Sequence, residues 1–64
     1  MDLVRNYVET IEEIVLAERR LGKQNSAINL ALVESALDAA KAAWLLIPAG
    51  LRAKLEPPPE RKDY

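Results

Sequence analysis

The sequence predicts an all-α protein: an antiparallel helical hairpin with a short third helix at its C-terminal end, assembling as a four-helix-bundle homodimer or a higher homo-oligomer. Two long runs carry apolar residues at spacings of three and four, the period of an amphipathic helix. The four residues between them, Gly22-Lys23-Gln24-Asn25, are too few to let the helices do anything but run antiparallel. The second run, Ile28 to Ile47, has more apolar surface than one neighbouring helix can cover.

Size reinforces the expectation of assembly. A chain of 64 residues buries too small a fraction of its surface to be comfortably stable alone. With no cysteine and no histidine, neither a disulfide nor a structural zinc site can staple it, which leaves oligomerisation.

The first helix is expected from Met1 to Leu21. Leu3, Val4, Tyr7, Val8, Ile11, Ile14, Val15 and Leu21 form its apolar side, and Arg5, Glu9, Glu12, Glu13, Arg19 and Arg20 its polar side. Asp2 is placed to cap the N-terminus, and Gly22 to end the helix in the left-handed conformation. Either Asn25 or Ser26 caps the second helix. That helix stops at Ile47, because Pro48 lacks an amide hydrogen and pushes the residue before it out of helical geometry. Pro48 then opens a third helix in which Leu51 and Leu55 fold back over the open end of the hairpin. Residues 1–56 make this folded unit. Residues 57–64, PPPERKDY, are a proline-rich, charged, extended tail, which could also serve as a short peptide ligand.

A turn centred on residues 22 to 25 makes opposed positions total about 47. Val4 then faces Ala43, Tyr7 faces Ala40, Ile11 faces Ala36, Ile14 faces Val33 and Glu18 faces Asn29. Large against alanine lets helices approach closely. The seam leaves two flanks of the second helix uncovered: Ile28, Leu32, Ala39 and Leu46 on one side, and Leu30, Val33, Leu37 and Trp44 on the other. From these we expect Ile28, Leu32, Leu37, Ala39, Trp44 and Leu46 to form the oligomer interface. Leu16 and Leu45, on polar faces, could support a further contact.

Glu18 and Asn29 make a buried polar layer in this register, with the amide donating to the carboxylate. It is read first as a device that fixes helix pairing, and alternatively as a ligand site assisted by nearby basic residues. Two basic groups lie at opposite ends of the hairpin: Arg19, Arg20 and Lys23 at the turn, and Arg52 and Lys54, with Arg61 and Lys62, toward the C-terminus. All are read mainly as solvated charges, with anion binding at Arg19, Arg20, Lys23, Arg52 and Lys54 as the alternative. Glu9, Glu12 and Glu13 read as a solvated face, since helical carboxylate metal sites converge on a bundle interior and recruit histidine. Tyr7 and Trp44 read as packing residues rather than a base-stacking platform.

No catalytic signature is present: no histidine base, no thiol, no glycine-rich phosphate loop and no metal-ligand spacing. The expectation is a non-enzymatic protein without cofactor or metal, working on a protein partner as an adaptor or inhibitor. An alternative is an oligomeric sponge that sequesters a small anionic ligand such as a signalling nucleotide. A third reading, an RNA-binding hairpin dimer, is disfavoured by the net charge of −1, which attracts neither nucleic acid nor anionic membrane. The opening MDLVRNYVET lacks the basic flank and apolar core of a signal peptide, and Glu34, Asp38 and Lys41 interrupt the best candidate span. A cytoplasmic location is expected.

Overall fold

A computed structural model describes residues 2–60. Two long helices, α1 (Leu3–Lys23) and α2 (Ala27–Leu46), pack against each other as a hairpin, and a single turn of helix, α3 (Ala49–Arg52), follows. No strand occurs among the described residues. Met1, where the sequence would start the first helix, lies outside them.

Local signals position the helix starts. The Asp2 carboxylate accepts from the Arg5 N–H at 3.1 Å, satisfying one of the amides that the first helical turn leaves without a partner. Ser26, one of the two expected caps, does the same for α2 by accepting from the Asn29 N–H at 3.2 Å. Helix α2 ends at Leu46, and Ile47 is extended (φ −78°, ψ 132°) before Pro48, as the steric demand of the proline ring requires.

The end of α1 corrects the expectation. Gly22 is not a left-handed terminator: the helix runs through it to Lys23, and no described glycine has positive φ. The chain leaves the helix at Gln24 (φ −144°, ψ 102°), whose N–H still donates to the Arg20 carbonyl at 2.9 Å. The side chain of Asn29 provides the closure. Its Nδ2 donates to the Gln24 carbonyl at 2.8 Å and more weakly, at 3.5 Å, to that of Arg20. With terminal carbonyls met from across the turn, no left-handed residue is needed.

The turn is therefore centred on Asn25, and opposed positions total about 50, three more than the sequence suggests. Tyr7 falls opposite Ala43 and Trp44 rather than Ala40, and its ring lies 5.1 Å from that of Trp44, tilted by 47°. The core comprises Tyr7, Ile14, Ala17 and Leu21 of α1, Val33, Leu37, Ala40 and Ala43 of α2, and Ile47. Leu3, Ile11, Leu30, Ala36, Trp44 and Leu55 pack around it. Of the two leucines beyond Pro48, only Leu55 folds back, while Leu51 stays exposed.

This register corrects two members of the expected interface. Leu37 is 4% exposed, inside the hairpin's own core, and Trp44 is half-buried against Tyr7. The flank they were assigned to is covered by α1. Ile28, Leu32, Ala39 and Leu46 remain exposed.

The polar layer is also corrected. No polar or charged residue is buried among the described residues. Glu18 and Asn29 are each half-buried at the turn end, and the Asn29 amide donates to the Gln24 and Arg20 carbonyls. The last carbonyls of a helix have no partner within it, so the amide closes on them without burying a charge.

Candidate functional site

Helix α1 presents a second apolar stripe beside its core face. Val4, Val8, Ile11 and Val15 follow one another at spacings of four, three and four, which keeps them on one side of the helix. Val8 and Val15 are exposed at 45% and 43%. Val4 and Ile11 are half-buried. The sequence contains this stripe, but counting all α1 apolar residues as one face conceals it.

The chain after α3 turns the upper part of the stripe into a groove. The Tyr7 hydroxyl donates to the Glu56 carbonyl at 2.9 Å, drawing the C-terminal segment back against α1. Tyr7, Val8 and Ile11 on one wall and Leu55, Pro57 and Pro59 on the other enclose about 540 Å³. Pro57 and Pro59 of the tail are thus part of this groove's lining. Below it, Ile11, Val15 and Leu16 line a second hollow of about 320 Å³, edged by Glu12 and Arg19. Ile11 is common to both, so the two hollows make one apolar track along α1.

Burial is the main reason the Tyr7 phenol is held above its ordinary pKa, and the Glu56 carboxylate adds to it. A raised folded-state value means that the native protein keeps a proton the unfolded chain would release. The associated stability is present below the ordinary tyrosine range, near pH 10, and is lost as pH rises through the raised value. Thermal melts are expected to show this loss only above about pH 10, and Tyr7→Phe to reduce it.

The predicted basic residues remain at two separate ends. Arg19, Arg20 and Lys23 are exposed at the C-terminal end of α1. Lys54 is exposed beyond α3, whereas Arg52 is half-buried, with its Nε shielded from solvent and without an acceptor among the described residues. One hairpin does not bring the two groups together. Arg61 and Lys62 lie outside the described residues. Glu9, Glu12 and Glu13 are all exposed, with Glu9 3.5 Å from Arg5. No group of three or more His, Cys, Asp or Glu among the described residues could hold a metal ion. No described helix is long and apolar enough to cross a membrane.

Next to the lower hollow, Leu32 and Ala36 of α2 lie beside Glu13, Leu16, Ala17 and Arg20 of α1, and Leu16 is common to both hollows. The α2 stripe of Ile28, Leu32, Ala39 and Leu46 is exposed and borders α1 at Leu32. No protein-family model, no curated protein and no solved structure matches the chain.

Proposed function

We propose that this chain is a small, non-enzymatic, homo-oligomeric helical protein of the cytoplasm that acts by binding a protein partner, as an adaptor or inhibitor. The observation that carries the reading is the apolar track on α1, with Val8, Val15 and Leu16 left 43–48% exposed along a helix that has already filled its own core face. Grooves of this kind take the apolar face of an amphipathic helix. Glu12, Arg19 and Glu56 give the rim charges of both signs, which favours a partner helix flanked by both, since complementary rim charge speeds and orients encounter. Val8→Glu with Val15→Glu tests this, because both residues are exposed enough to change without breaking the core. The expected result is loss of the partner that the unaltered chain captures, with unchanged helicity and oligomeric state. Retention of that partner by the double variant, or a stable monomer with no partner, overturns the proposal.

Arg52 supports a second reading, the sponge for a small anionic ligand. A guanidinium N–H taken out of water without an acceptor is costly, and a phosphate oxygen would satisfy it. A nucleotide panel in a thermal-shift assay tests this reading. A ligand at 100 times its dissociation constant adds about 2.7 kcal/mol of stability, and the gain should vanish in Arg52→Gln. A flat panel removes the reading for the ligands used.

A further inference from the structure

The exposed flank of α2 has an order of its own. Ile28, Leu32, Ser35, Ala39, Ala42 and Leu46 follow at spacings of four, three, four, three and four, the heptad seam of a helix that meets another helix. All six are exposed, and none is charged. Ile28 and Leu46, at its two ends, are exposed at 76% and 60%. Helix α1 covers the neighbouring face through Val33, Leu37 and Ala40 and borders the seam at Leu32, which stays exposed.

We propose that the occupant of this seam is a second copy of α2, packed antiparallel about a two-fold axis at the level of Leu37. The proposal rests on the homo-oligomeric part of the reading above and gives it a surface and a register. Read backwards, the seam matches itself. In the antiparallel arrangement, layers join residues whose numbers total 74: Ile28 meets the partner's Leu46, Leu32 meets the partner's Ala42, and Ser35 meets the partner's Ala39. Leucine thus falls against alanine on both sides of the axis and the smallest residues meet at its centre, so the helices can approach closely where they cross.

Length selects the same register. The seam spans about 27 Å, at a rise of 1.5 Å per residue, and its midpoint coincides with that of Ala27–Leu46. Full overlap uses every apolar position on both copies. A shift by one heptad would leave about 10 Å of each seam in water. A parallel pairing is poorer on two counts. It would set Leu32 against its own copy and Ala42 against its own, requiring different spacings along one pair of straight helices, and it would align the helix dipoles. A self-complementary patch of this form is what an isologous two-fold contact requires.

The absence of native cysteine allows a direct test. Ser35→Cys and Ala39→Cys are made singly in the full chain, and each is oxidised alone and after co-expression with the other. Facing small residues in the central layer bring the two thiols within reach of a disulfide. The expected result is a covalent dimer joining the two variants, with little cross-linking of either alone. Efficient self-cross-linking of Ser35→Cys would show a parallel pairing and overturn the proposal. Light scattering separates the remaining outcomes. An oligomer without the mixed cross-link overturns this register and leaves the homo-oligomeric reading standing. A monomer overturns both.

Discussion

Ile14→Ala is expected to lower stability by about 2–5 kcal/mol, the usual range for removing most of a buried aliphatic side chain. Ile14 is 1% exposed and is, with Ile47 and Val33, among the largest fully buried side chains. It stands at the middle of α1, so neither helix end can relax into the space it leaves. The loss is a large fraction of the roughly 5–15 kcal/mol that holds an ordinary domain together, and a chain this short has few other core contacts to absorb it. Of the nine buried residues among those described, Ala17, Ala40 and Ala43 are too small to close a cavity by turning toward it. Urea denaturation followed by helical circular dichroism is expected to show Ile14→Ala largely unfolded before denaturant is added. Ile28→Ala provides the contrast. The same chemical change at a site 76% exposed should leave the hairpin fold unaffected at high protein concentration. On the proposed pairing of α2 with a second copy, its cost should grow on dilution.

That contrast also marks where sequence reasoning succeeds. The two helices, the caps at Asp2 and Ser26 and the break at Pro48 are written in residues close to the feature they determine. A side-chain oxygen that accepts an amide three residues on, or a proline ring against its predecessor, acts within one turn. The register is set differently. It depends on how the end of α1 is closed, and Asn29 closes it from the far side of the turn, at 2.8 Å from the Gln24 carbonyl. Nothing near Gly22 announces that, so the glycine reads as a terminator. Leu37 and Trp44 lie against α1 because the side of α2 turned toward it takes in Val33 and Leu37 as well as Ala40 and Ala43. Ile28, Leu32, Ala39 and Leu46 stay exposed, with Leu32 at the border with α1. The α1 track is legible only in part. The spacing of Val4, Val8, Ile11 and Val15 is visible in the chain, but its second wall comes from Leu55, Pro57 and Pro59, about 50 residues later in the sequence and drawn in by one hydroxyl.

Tyr7→Ala is expected to cost about 3–5 kcal/mol, by analogy with other buried aromatic truncations, and Tyr7→Phe only about 0.5–1.5 kcal/mol. The difference separates two jobs of one side chain. The ring is 4% exposed and contacts Trp44, so removing it opens the core at the end of the hairpin where Ile47 also packs. The hydroxyl adds a single hydrogen bond to a carbonyl of an exposed residue, Glu56, which can turn to water when the donor is lost. Phenylalanine therefore keeps the fold while freeing the second wall of the groove. Hydrogen exchange is expected to show faster exchange around Leu55 and Glu56 in Tyr7→Phe, with the amides of α1 and α2 unchanged. Partner capture then reports which surface matters. If the partner helix lies between both walls, Tyr7→Phe weakens capture without altering stability by more than about 1.5 kcal/mol. If it lies along Val8, Ile11 and Val15 alone, capture is unchanged and only the valine substitutions abolish it.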